Sequence, residues 1–173
     1  MFTETMNTPI GTLLIQASTR GITHVDFIDT ETPENQPNAL TTRCKQQLQA
    51  YFDGKRETFD LPLDQQGTAF QKSIWNSLLE IPFGQAVSYR DIADMVNNRK
   101  AVRAVGAANG KNPIAIIVPC HRVIGSDRTL TGYAGGLQRK AWLLKHEGIA
   151  FNSKREDHQS VDLNNRQSDL FNQ

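Results

Sequence analysis

The chain has 173 residues, a formal net charge of +1 and two cysteines. That length admits one large domain or two small ones, and two cysteines make no disulfide framework, so a reduced, cytoplasmic protein is expected. No apolar run approaches the roughly 20 residues a bilayer span needs, and Met1-Phe2-Thr3-Glu4 lacks a basic-then-apolar leader, so neither membrane insertion nor secretion is expected.

Charge is unevenly spread. Residues 1–65 hold five Lys/Arg against nine Asp/Glu, residues 66–151 eleven against five, and residues 152–173 three against four. An acidic first part beside a basic second part fits a polyanion meeting the second part, or an ordinary solvated face of uneven charge.

Thr12 to Ala17 and Ile22 to Ile28 read as strands, with Ser18-Thr19-Arg20-Gly21 as the hairpin turn between them. Thr30 to Asn38 reads as a loop. Asn38 then caps a helix with Leu40, Cys44, Leu48, Tyr51 and Phe52 at helical spacing and Gly54 just past its end. Cys44 lies on that apolar stripe and is assigned to the core. Thr58 to Leu61 reads as one more strand, and Asp64-Gln65-Gln66-Gly67 as a domain boundary.

The second part reads as helical. Thr68 caps a helix with an apolar face of Phe70, Ile74, Leu78 and Leu79, closed by Pro82-Phe83-Gly84. Ser88-Tyr89-Arg90-Asp91 has capping-box spacing. Tyr89, Ile92, Ala93 and Val96 continue as a short amphipathic helix that stops at Asn97-Asn98. A helix from Lys100 to Asn109 follows, with Arg99, Lys100 and Arg103 at its start. Two short helices about a tight polar turn fit a helix-turn-helix. Small residues on the second (Ala101, Ala104, Gly106, Ala107, Ala108) suit either a close partner or the neighbouring helix.

The turn dipeptides Asn109-Gly110 and Asn112-Pro113 lead into an apolar run, Ile114 to Val118, that Pro119 ends. Cys120, His121 and Arg122 follow. A thiol reacts as thiolate, and a neighbouring cation or base lowers its pKa. Taken alone, Cys120 reads first as a small core residue. Thr131-Gly132-Tyr133-Ala134-Gly135-Gly136 is a glycine-rich loop without the Lys-Ser/Thr ending of a P-loop. Leu137, Ala141, Trp142, Leu144 and Lys145 form a last amphipathic helix up to His146-Glu147-Gly148. The polar stretch 152–173 reads as a disordered tail.

Pro119-Cys120-His121-Arg122, Arg103, Asn112, Tyr133-Ala134-Gly135-Gly136 and His146-Glu147-Gly148, in this order, resemble the O6-alkylguanine-DNA alkyltransferases. Ala104-Val105-Gly106-Ala107-Ala108-Asn109-Gly110 and the Thr131–Gly136 loop are most similar to the bacterial constitutive type. The likeness runs through residues 68–151; residues 1–65 share only size and coarse layout.

The resemblance implies an α+β fold: a small RNase H-like α/β unit over 1–65, then a mostly helical unit over 66–151 with the helix-turn-helix. It implies a monomer without cofactor, acting once on double-stranded DNA containing O6-alkylguanine; O4-alkylthymine stays open as a second substrate. Cys120 would be the acceptor, His121 its base through a water, and Glu147 the group that orients the imidazole. Tyr89 would donate to the leaving O6. Arg103 would fill the stack behind the flipped base. Arg99, Lys100, Ala104 and Arg122 would contact DNA. Asn112 would tie the helix-turn-helix to the thiol segment, and Tyr133, Ala134 and Gly135 would wall the pocket. Ala134 stands where some members carry serine, so a hydroxyl contact to O6 is lost. Only Cys44 and His24 could ligate a metal in residues 1–65, short of a structural zinc site. Two other classes compete. A non-catalytic damage-binding relative would carry tryptophan at 120, and a Cys-His hydrolase would regenerate its thiol and need an oxyanion hole.

Overall fold

A computed structural model describes residues 1–152; the tail expected over 152–173 lies, from 153 on, outside the described residues. Three strands open the chain: β1 (Phe2–Thr8), β2 (Gly11–Ala17) and β3 (Ile22–Ile28), an antiparallel sheet in that order. Along β2 the side chains alternate, with Leu13, Ile15 and Ala17 fully buried, as one-sided burial of a pleated strand requires. The β2–β3 turn is closed by Ser18 N–H donating to the Gly21 carbonyl at 3.0 Å.

β1 has no counterpart among the expected strands. Its inward positions are Glu4 and Met6, and Glu4, which accepts from Thr42 and faces Lys45, disguises the alternation. Helix α1 (Ala39–Phe52) packs on this sheet. Its N-terminus has a reciprocal cap between Asn38 and Thr41, which satisfies two orphan backbone donors. Cys44, Leu48 and Tyr51 face inward, and Gly54 takes the left-handed conformation at φ 75° that ends such a helix. Residues 58–61 are not a strand. The bridge forms later, between Leu63 and Ile22, while Phe59 and Leu61 pack onto the core.

Helix α2 (Ala69–Leu78) carries the Thr68–Gln71 capping box and buries Ile74, Trp75 and Leu78. Leu79, expected on that face, is exposed, because the helix has ended and Trp75 fills the stripe. The two-residue strand β4 (Val87–Ser88) leads through the Ser88–Asp91 capping box into α3 (Tyr89–Met95). Asn97 at φ 56° turns the chain, a single turn of 3-10 helix covers Arg99–Ala101, and α4 (Val102–Gly110) follows. α4 packs against both α2 and α3. Its small residues divide their work. Ala108 is buried and its carbonyl accepts from the Trp75 indole at 2.9 Å, and a Cβ at Gly106 would lie 3.8 Å from the Tyr89 ring. Ala104 and Ala107 remain exposed.

The apolar run 114–118 is buried but is a turn rather than an extended segment. Val25 donates to the Pro113 carbonyl and Ala115 to the Val25 carbonyl, so only Ile114 docks on the free edge of β3. Ile116 then adopts φ 71°. A β-branched residue there stores roughly 1–3 kcal/mol of strain, held by what surrounds it. A 3-10 turn spans Cys120–Arg122, and β5 (Val123–Ile124) pairs in parallel with β4. Helix α5 (Leu137–His146) closes the fold, and the Asn152 amide still binds the Arg128 carbonyl. One hydrophobic cluster runs from Met6 in β1 to Leu143 in α5, so sheet and helices share a core.

Candidate active site

The thiol segment is tied down by two asparagines of the α4 region. The Asn112 amide donates to the Val118 carbonyl at 2.8 Å and accepts from the Ile114 amide at 3.0 Å. Asn109, which sequence reasoning did not single out, donates to the Cys120 carbonyl at 3.3 Å. These bonds replace a strand ladder for a backbone that is buried and strained. Cys120 is 6% exposed. Burial pushes its thiol above the ordinary cysteine range, while Asn112 and the Lys140 ammonium pull the other way. The neighbours soften the cost of ionising the sulfur but do not make it a resting thiolate.

His121 is fully buried, and its Nε2 lies 2.6 Å from Glu147 Oε2. Burial lowers its pKa, outweighing the pull of the carboxylate, so the ring is neutral at pH 7. An ionised carboxylate only accepts, so the one ring hydrogen sits on Nε2. Nδ1 is therefore the basic nitrogen, and it is buried with no protein partner among the described residues.

Glu147 collects donors from four residues, the longest bond being that of the Gly84 N–H at 3.5 Å. Besides His121, it accepts from Arg122 Nε at 2.7 Å and Nη2 at 3.2 Å, and from the Tyr51 hydroxyl of α1 at 2.7 Å. Burial pushes the carboxyl up, but the His121 and Arg122 contacts more than offset it, leaving a pKa of about 2. Burial raises the Tyr51 phenol, so it stays a donor.

Arg122 corrects an expectation. The resemblance assigns it to DNA, yet it is buried on Glu147 and on the Ile81 carbonyl at 2.7 Å. A buried guanidinium with three of its five N–H donors on a carboxylate and a carbonyl is not presented to a phosphate.

Tyr89 begins α3. Its hydroxyl donates to the Thr131 carbonyl and accepts from the Thr131 hydroxyl, both at 3.0 Å. Lys140, on α5, is fully buried; its ammonium binds the carbonyls of Val123 (2.6 Å), Thr131 (2.8 Å) and Gly132 (3.4 Å). Burial lowers its pKa to about 8, so it remains mostly a cation at pH 7. The sequence did carry a signal for it: Lys140 stands three and four residues ahead of Leu143 and Leu144, the buried leucines of the helix, and a lysine on that face is out of place.

A cavity of about 460 Å³ opens between α4 and the glycine-rich loop, lined among others by Tyr89, Val102, Gly106, Thr131, Tyr133 and Ala134. Cys120 does not line it, but lies close enough that an ionised sulfur would raise the pKa of both Tyr89 and Tyr133. Arg99, Lys100, Arg103 and Ala104 are exposed together at the start of α4. Arg99 is paired with Asp94 at 3.0 Å. So the chemistry-bearing residues converge, the basic residues of α4 lie outside them, and two of the eleven cations of residues 66–151, Arg122 and Lys140, serve the interior.

Two family models match in tandem. The 6-O-methylguanine DNA methyltransferase ribonuclease-like domain covers residues 1–65, and the DNA binding domain of the same name covers residues 69–149. The constitutive methylated-DNA–protein-cysteine methyltransferase of Bacillus subtilis is 48% identical over 160 residues, 87% of this chain and 97% of the relative. That of Methanosarcina barkeri is 47% identical over 153 residues, 85% and 97% of the two chains. The crystal structure of Mycobacterium tuberculosis OGT in complex with DNA superimposes with a TM-score of 0.78 at 44% identity, covering 85% of this chain and 92% of that one. The RNase H-like expectation for the first part and the helical DNA-binding expectation for the second agree with these matches. With its thiol, imidazole and carboxylate held as described, the chain belongs to the methylated-DNA–protein-cysteine methyltransferase family.

Proposed function

We propose that this chain repairs DNA by direct reversal, moving an alkyl group from O6 of guanine onto Cys120 once per molecule. What carries the reading is a buried thiol followed by a neutral imidazole with Nδ1 bare and Nε2 anchored on Glu147. Displacement at an sp³ carbon needs a soft nucleophile, and sulfur is the best that a side chain offers. The names of the relatives support the same substrate class.

The Cys120 proton passes through a water to His121 Nδ1, and Glu147 stabilises the imidazolium. The sulfur attacks the alkyl carbon, the S–C bond forms as the C–O6 bond breaks, and the electron pair leaves on O6. The Tyr89 phenol turns from the Thr131 carbonyl to O6; Lys140 still satisfies that carbonyl. Overall the thiol hydrogen is exchanged for the alkyl group and guanine regains its proton, so no cofactor is consumed. The thioether is stable, and the molecule is spent.

The flipped base enters between α4 and the loop of Tyr133, Ala134 and Gly135, with the Ala134 N–H available to O6. Asn112 keeps the thiol segment in register with α4. Arg99, Lys100, Arg103 and Ala104 face the duplex, and binding there weakens with salt as phosphates regain counterions. The chain acts as a monomer in the cytoplasm, with residues 66–151 supplying DNA contact and chemistry; among the described residues no helix is long and apolar enough to cross a membrane. Intact-mass measurement after mixing with a duplex bearing O6-methylguanine tests the reaction. One methyl is expected on the peptide containing Cys120; an unchanged mass beside unrepaired guanine overturns it.

Arg103 has a separable role. Filling the gap behind the base offsets unstacking, which costs a few kcal/mol. Arg103→Ala is therefore expected to slow transfer from duplex DNA by about tenfold or more. Transfer from the free modified base, which needs no flipping, should change little. Equal losses on both substrates would contradict the role.

A further inference from the structure

Arg139, on α5, joins the pocket loop to the N-terminal sheet. Its Nε donates to the Ile10 carbonyl at 2.7 Å in the β1–β2 turn, its Nη1 to the Gly135 carbonyl at 3.2 Å, and its Nη2 to Asp29 at 3.1 Å after β3. The guanidinium also lies over the Phe27 ring, 4.6 Å from its centre. The fit is close on both sides. A Cβ on Gly11, whose φ is +126°, would come within 2.7 Å of Nη2. A Cβ on Gly135 would come within 2.8 Å of the Tyr133 ring and 3.1 Å of the Phe27 ring. Gly135 is thus a spacer between the aromatic wall of the pocket and Phe27 of the sheet behind it.

The start of the loop is held by Tyr89 and Lys140 at Thr131 and Gly132, and a turn bond from the Gly136 N–H to the Tyr133 carbonyl at 2.9 Å closes it; the Gly135 carbonyl is held by Arg139. Gly132 and Gly136 have positive φ, Gly135 has no side chain, and the buried Tyr133 hydroxyl finds no partner among the described residues. Glycine backbones fix their conformation poorly by themselves. A guanidinium presents its donors in a rigid fork, which an ammonium does not reproduce.

We propose that Arg139, with Phe27, is a positioning residue that sets the Tyr133 wall from behind and thereby limits the size of alkyl group the pocket accepts. The inference rests on the alkyl-transfer reading above. With the brace gone, the wall retreats toward the sheet. A methyl group is then poorly centred on the sulfur, whereas a benzyl group gains room. A misfit of about one methylene in an apolar pocket is worth roughly 10–200-fold.

The test is single-turnover transfer from O6-methylguanine and O6-benzylguanine in the same duplex, with a melting curve for each protein. Arg139→Ala is expected to raise the benzyl-to-methyl rate ratio by about tenfold, and Arg139→Lys to recover only part of the original ratio. Phe27→Leu keeps apolar volume but loses the flat ring, and should shift the ratio the same way by less. If both rates fall by one common factor in a folded Arg139→Ala, the residue is merely structural and the inference fails. If that variant does not fold, Phe27→Leu decides: a shifted ratio supports the inference and an unchanged one overturns it. A natural chain that takes neither alkyl group overturns the alkyl-transfer reading itself, and the inference with it.

Discussion

Cys120→Ser is expected to bind a duplex bearing O6-methylguanine as the natural chain does, and to take nothing from it. Serine is nearly the same size, so the buried turn keeps its packing and the Asn112 and Asn109 bonds, which go to backbone atoms. The chemistry does not survive. The thiol is already pushed above the ordinary cysteine range by burial, so in the proposed mechanism even sulfur needs the imidazole to lose its proton. An alcohol is a far weaker acid, and its oxygen is a harder, more tightly solvated nucleophile toward an sp³ carbon. Binding persists because the exposed cations at the start of α4, and not the sulfur, face solvent. The measurement is a pair: intact mass after incubation, and duplex affinity at one fixed salt concentration. Methylated protein would mean that another residue accepts the group. Lost affinity in a folded variant would mean that Cys120 also shapes the DNA surface.

Local rules made much of this arrangement legible. Asn38, Thr68 and Ser88 each cap the helix that their spacing announces, and β2 and β3 follow from period-two burial. The resemblance supplied roles for Cys120, His121 and Glu147, and the fold brings the three together. What the sequence hid was long-range pairing. Tyr51 reads as one more member of an apolar stripe, yet its hydroxyl reaches a carboxylate 96 residues away. Arg122 reads as a free cation beside a reactive cysteine, because nothing local shows that Glu147 and the Ile81 carbonyl hold it in the interior. The run 114–118 carries no periodicity that separates a buried strand from a buried turn. Asn112, placed just ahead of it, takes over the backbone bonds that a sheet partner would have made. Arg139 was likewise invisible, since its acceptors lie at both ends of the chain.

Glu147→Gln is expected to cost more than any other single change proposed here, in stability as well as in rate. The side chain has no exposure, and donors from Tyr51, His121 and Arg122 all point at it. An amide keeps the volume but turns one accepting oxygen into a donor, and it leaves the Arg122 cation buried without its counter-charge. Removing one partner of a buried pair typically costs about 3–5 kcal/mol, against a total stability of roughly 5–15 kcal/mol. The rate falls separately. His121 loses the acceptor that keeps its hydrogen on Nε2 and Nδ1 basic, and positioned acid–base catalysis is worth roughly 10²–10⁴-fold. Acid titration tells the charge effect from simple loosening. Glu147 is held at about 2 against an ordinary 4.5. A depressed carboxyl contributes stability that is present above the ordinary value and is lost as pH falls toward the folded value, here about 3 kcal/mol between pH 4.5 and 2. Buried neutral His121 works in the same direction, because the unfolded chain takes up its proton first as pH drops below 6.5. Glu147→Gln should therefore unfold more easily at pH 7, yet lose less further stability between pH 4.5 and 2 than the natural chain. If its denaturant midpoint stays within error of the natural value and the acid slopes coincide, the carboxylate is not the charge on which Arg122 and His121 are held.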